Sequence, residues 1–76
     1  MTVLKAQAEP KELIDFLTTS GVKNIDIDAM KIKHHSDHVF EKNGKIFYIM
    51  IIYTDGHYKN SIEKALIDNN REFKWQ

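Results

Sequence analysis

The chain's most chemically capable side chains are its four histidines, His34, His35, His38 and His57. Neutral imidazole is a good ligand for Zn²⁺, Ni²⁺ and Cu²⁺. Asp37 and Asp55 stand beside the histidines in sequence and would add carboxylates. The candidate metal set is His34, His38 and His57. Adjacent His34 and His35 point to opposite sides in an extended chain, so both cannot ligate one ion without a bend. A second chemistry is titration: imidazoles change charge near pH 6.5, so acidification would load this end of the molecule with positive charge. Ser36 beside His35 and Asp37 supplies the residue types of a hydrolytic triad, but close neighbours in one short turn do not reach triad geometry. The simpler reading of residues 34–38 is a polar turn, in which Ser and Asp bond the backbone. No motif calls for a cofactor, and the expectation is a protein that is not an enzyme.

What would gather the histidines is a hairpin. Asn43-Gly44 lies between two apolar runs and is the strongest short-range signal for a two-residue type I′ turn. That turn sets a register in which Lys42 faces Lys45, Glu41 faces Ile46, Phe40 faces Phe47, Val39 faces Tyr48 and His38 faces Ile49. The same register brings His34 and His35 beside Tyr53, with His57 a few residues beyond.

The remaining elements follow from periodicity. Residues 3–8 read as a short strand. Pro10 suits the first turn of a helix, Glu9 and Glu12 complement its dipole, and Leu13, Ile14 and Leu17 form its apolar stripe. Gly21 stops that helix near residue 20. Ile25, Ile27 and Ala29 alternate with Asp26 and Asp28, which predicts a half-buried strand over 24–33, with a slip of phase at Met30. Asp55-Gly56 marks a further turn. Asn60 and Glu63 have capping-box spacing, and Ile62, Ala65 and Leu66 predict a helix over 61–69. Phe73 and Trp75 alternate in a closing segment that reads as an edge strand or a packed tail. Residues 1–76 thus make a single α+β domain, a small and mostly antiparallel sheet with two helices packed on one face. The order is β-α-β-β-β-α, with a possible final β. Its central α-β-β-β-α run is similar to the order in double-stranded-RNA-binding domains, although residues 56–64 lack the paired lysines those domains set against phosphates. With both end strands counted, a ferredoxin-like variant is the equal alternative.

The apolar run Ile46-Phe47-Tyr48-Ile49-Met50-Ile51-Ile52-Tyr53 carries the functional expectation. Phe47, Ile49, Ile51 and Tyr53 share one face; Ile46, Tyr48, Met50 and Ile52 share the other. A strand covered by helices on one side only should be polar on its second face, and this one is apolar on both. One face is therefore expected to meet something else: the protein's own arm or tail, a second copy, or another protein. The candidate interaction surface is Ile46, Tyr48, Met50 and Ile52 with Val39. The leading expectation is a small non-enzymatic interaction protein working through its sheet surface, as a homo-oligomer or on a partner protein.

The alternative is a nucleic-acid-binding module, with Lys31, Lys33, Lys42 and Lys45 as its basic patch beside sheet aromatics that would stack bases. Composition weighs against it. Eleven Lys+Arg balance eleven Asp+Glu, for zero formal net charge, whereas dedicated nucleic-acid binders usually carry a basic excess. Hydrophobic residues are 42% and charged residues 29%, which is globular composition. There is no cysteine, so disulfides and thiolate chemistry are excluded. No apolar run is long enough to span a membrane, and the opening Met1-Thr2-Val3-Leu4-Lys5 lacks the form of a signal peptide. A cytoplasmic location is the default expectation. The frequent Lys, Asn, Ile and Asp suit an AT-rich genome, phages included. A chain this short buries only about 60% of its unfolded surface, so a partner would add useful stability.

Overall fold

Seven elements make up the structure, a computed structural model that describes residues 2–54 and 56–76 apart from the side chains of residues 36–38. They are β1 (Thr2–Ala6), α1 (Pro10–Thr19), α2 (Asn24–Met30), β2 (Lys33–Lys42), β3 (Lys45–Ile52), α3 (Lys59–Asp68) and β4 (Phe73–Trp75). The four strands form one antiparallel sheet in the order β2-β3-β1-β4. Each helical connection therefore joins strands that have another strand inserted between them. This interleaving is the ferredoxin-like variant, with α2 added to the first connection.

Local chemistry explains most of the elements. Pro10 opens α1, Glu12 sits in its first turn, and Leu13 and Leu17 are buried one turn apart. The helix closes on Gly21 at φ +90°, where the Val22 N–H donates to the Leu17 carbonyl and the Gly21 N–H to Thr18. That pair of bonds is a Schellman closure, which needs a left-handed residue. The β2–β3 hairpin turns on Asn43 (φ 54°) and Gly44 (φ 76°), a type I′ turn with the expected pairs from Lys42↔Lys45 to Val39↔Tyr48.

Two expectations are corrected. Residues 24–30 are helical, not a strand. Ile27 and Met30, three apart, are buried on one helical stripe, while Ile25 is 74% exposed. Strand alternation would have put Ile25 and Ile27 on the same face. The similarity to double-stranded-RNA-binding domains depended on that strand and lapses with it. The second correction concerns the start of α3, which begins at Lys59, so Asn60 lies inside the helix and does not cap it. Glu63 serves elsewhere, accepting a hydrogen bond from the Trp75 indole N–H at 2.7 Å. This contact helps to fix the closing segment as β4, a true edge strand beside β1.

All three helices lie on one face of the sheet. Leu4 and Ala6 of β1, with Met50 and Ile52 of β3, meet Leu13 and Leu17 of α1, Ile27 and Met30 of α2, and Ile62, Ala65 and Leu66 of α3 in a single core. Phe73 and Trp75 close its edge. Arg71 ties the two ends of the chain together: it donates to both carboxylate oxygens of Glu12, at 2.9 and 3.1 Å, and to the Gln7 carbonyl at 2.9 Å. No helix among the described residues is long and apolar enough to cross a membrane.

Candidate functional site

Directly paired residues of antiparallel strands project to the same side of a sheet. The register therefore assigns every paired side chain to a face. Leu4, Met50, Tyr48, Ile52, Val39, Glu41 and Ile46 lie on the helix side. Val3, Lys5, Lys33, Phe40, Lys42, Lys45, Phe47, Ile49, Ile51 and Lys74 lie on the side that no helix covers.

This assignment relocates the expected contact surface. Met50 and Ile52 are fully buried in the core, and Tyr48 is half-buried. Only the hairpin end of that surface reaches solvent, at Val39 (50% exposed) and Ile46 (47%). Beside it, Gln7, Glu12, Ile46, Tyr48 and Arg71 help to line an open depression of about 270 Å³.

The helix-free face has an apolar centre and a cationic border. Val3, Ile49 and Ile51 are half-buried, Phe47 is 6% exposed and Phe40 38%. Phe47 is shielded in part from above. The Lys5 ammonium lies 4.6 Å from the Phe40 ring centroid and 5.8 Å from that of Phe47. A lysine can lay its methylenes on apolar surface while its charge stays in water, held by the ring quadrupoles. Lys42 and Lys45 border the hairpin end, Lys33 the opposite end and Lys74 the β4 edge. Lys5, Lys42, Phe47, Glu72, Phe73 and Lys74 line a pocket of about 240 Å³ at this border.

Charge is divided between the two sides of the molecule. Among the described residues paired on the helix-free face, every charged side chain is a lysine. The acid at its margin is Glu72, which accepts a hydrogen bond from Lys45 Nζ at 2.8 Å. That bond and the Lys45 charge, with a smaller contribution from Lys42, hold the Glu72 carboxyl below its ordinary pKa. The helices carry an excess of acids: Glu12 and Asp15 on α1, Asp26 and Asp28 on α2, Glu63 and Asp68 on α3, against Lys11 on α1 and Lys59 and Lys64 on α3. Zero net charge therefore conceals a cationic sheet face backed by an acidic helical layer.

Of the four lysines first read as a basic patch, the sheet brings Lys33, Lys42 and Lys45 onto one face. Lys31 is elsewhere. It closes α2 in a left-handed conformation (φ 47°), with its ammonium 5.5 Å from the Tyr53 ring centroid. Lys5 and Lys74 join the face from strands that sequence reasoning had not paired with the hairpin. No local signal could have placed them, because both reach the face only through the pairing of β1 with β3 and β4.

The histidines follow another course. A bulge between His34 and Val39 sets His34 opposite Met50, not beside Tyr53, and its ring lies 6.4 Å from that of Tyr48. His57 packs edge-on against Tyr58 at 5.3 Å. No group of three His, Cys, Asp or Glu among the described residues is placed to hold a metal. The expected contributions of Ser36, Asp37, His38 and Asp55 lie outside the described side chains. Comparison of the chain with protein families, with curated proteins and with solved structures returns no match.

Proposed function

We propose that this protein is a non-enzymatic binding protein whose working surface is the helix-free face of its sheet. One observation carries the reading: a row of apolar side chains, Val3, Phe40, Phe47, Ile49 and Ile51, crosses three strands with no helix over it and is bordered by lysines. Phe40 is exposed and Val3, Ile49 and Ile51 are partly so, and apolar surface that reaches solvent within a polar rim is the usual form of a contact site. The lysine border gives the face a sign, so the fitting partner is anionic.

The test is recovery of a partner by the tagged chain from its own cells. The Ile49→Lys variant, with its fold verified by near-ultraviolet circular dichroism, is expected to lose whatever the parent retains. Val39→Glu, on the other side of the sheet, is expected to keep it. Equal retention by both variants and the parent would remove the face from the proposal. A second reading, contact through the Val39 and Ile46 ledge, is favoured by the exposure of those two side chains beside the depression near Arg71. It gives the opposite outcome with the same pair of variants.

A further inference from the structure

The geometry points to single-stranded nucleic acid as the occupant of this face, an inference that rests on the reading just given. Three features narrow the choice of anion. The first is the shape of the charge. Lys33 stands at one end of the β2–β3 ladder and Lys42 and Lys45 at the other, with Lys5 and Lys74 beside the apolar row. Cations that line a strip with a greasy floor suit a ligand that is anionic along its backbone and flat and apolar on its other side. Single strands have this character, and proteins meet them with positive tracks and aromatic platforms. A duplex turns its bases inward, so the Phe40–Ile49–Ile51 row would find nothing to cover.

The second is the identity of the cations. Lysine is depleted in the contact surfaces of protein partners, where arginine is preferred. The chain's arginine, Arg71, is engaged on the helix side with Glu12, and the sheet face is furnished with lysine throughout. The third is the pocket of about 240 Å³ beside Phe47, which is lined by three lysines, Lys5, Lys42 and Lys74, against one acid, Glu72, whose carboxylate already accepts a hydrogen bond from Lys45. Its excess of cations suits a phosphate, and the Lys5 ammonium over the Phe40 ring stands where a stacked base would lie. A second copy is a poor occupant. A two-fold pairing places the same patch on both sides, and that would set the lysine border against itself.

Fluorescence anisotropy with labelled single-stranded DNA and RNA of about eight nucleotides, a length within the usual footprint of such sheets, tests the inference directly. The comparison ligands are the matching duplex and polyglutamate of equal charge. The parent chain is expected to prefer the single strands. Its affinity should fall about 20- to 50-fold between 50 and 200 mM salt, the dependence of three to four neutralised phosphates on a single strand. Lys42→Glu with Lys74→Glu should weaken binding and flatten the salt dependence. Phe40→Ser should weaken it about tenfold, the usual cost of one lost stacking partner, with the salt dependence unchanged.

Absence of binding at 50 mM salt overturns the inference, as does polyglutamate binding equally well or Phe40→Ser binding like the parent. If oligonucleotides are ignored while Ile49→Lys still loses a partner recovered from cells, the face stands and its occupant is an acidic protein. If both experiments fail, the face itself is withdrawn.

Discussion

Glu72 shows how single residues tune the sheet face. Among the described residues it is the acid at a margin otherwise held by lysines, and its bond from Lys45 lowers its pKa. The sign of the linkage follows. A carboxylate depressed in the folded state contributes its stabilisation above its unfolded pKa and loses it as pH falls through the folded value. Both partners are well exposed, so the effect on stability is small. The effect on the carboxyl itself is measurable. An NMR titration of the Glu72 carboxyl carbon should give a midpoint below the ordinary carboxylate range in the parent chain. Lys45→Met should raise that midpoint and Lys42→Met should raise it less, because Lys45 supplies both the hydrogen bond and the larger charge effect. Identical midpoints in all three chains would mean that the ion pair does not persist in solution. Protonation of Glu72 also releases Lys45 and makes the face more cationic, but because its pKa is lowered this gain comes only below the ordinary carboxylate range, and a bound phosphate should be held no more tightly in mild acid than at neutral pH.

Among the elements, α2 separates two ways of reading a short apolar pattern. Ile25, Asp26, Ile27, Asp28 and Ala29 alternate, as a half-buried strand would. The structure instead uses Ile27 and Met30, three apart, and leaves Ile25 in solvent. Seven residues hold few turns of either period, so packing decides, and the Met30 carbonyl is anchored by the Tyr53 N–H at 2.6 Å. The two arrangements predict different stabilities. In the helix, Ile27→Ala should cost about 2 kcal/mol or more, the usual penalty for emptying a core site, and Ile25→Ala should stay within about 0.5 kcal/mol. Urea denaturation of the two variants measures this, and equal costs would restore the strand. The rest of the fold was legible where chemistry is local. Pro10 and Gly21 bracket α1, and Asn43-Gly44 set four cross-strand pairs correctly. The bulge after His34 was not legible, since it answers to no residue type that demands it, and it sets His34 opposite Met50 instead of beside Tyr53. Nor was the strand order, because the pairing of β1 with both β3 and β4 joins opposite ends of the chain.

At the scale of the whole molecule, the two faces of the sheet were readable from the hairpin register, but which of them faced outward was not. That depends on Leu4 and Ala6, whose alternation on β1 is too short to show which parity enters the core, and on Lys5 and Lys74, which reach the face only through tertiary pairing. Net charge was misleading for a related reason. It counts the acids of the helical layer against the lysines of the sheet as though they were neighbours. The Cα framework is 18 Å across its shortest axis, whereas charge is screened over about 10 Å at 0.1 M salt. A large ligand resting on one face therefore responds mainly to that face. This has a consequence independent of any natural partner. At pH 7.5 and about 0.1 M salt, where the far side is screened, the protein should be retarded on a sulfonate cation exchanger despite its formal neutrality. Lys42→Glu with Lys74→Glu should pass through unretained. Lys11→Glu with Lys64→Glu makes the same change in net charge on α1 and α3, and that protein should still bind, eluting close to the parent. If the two double variants behave alike, retention follows total charge, and the lysine-bordered sheet does not act as a separate cationic surface.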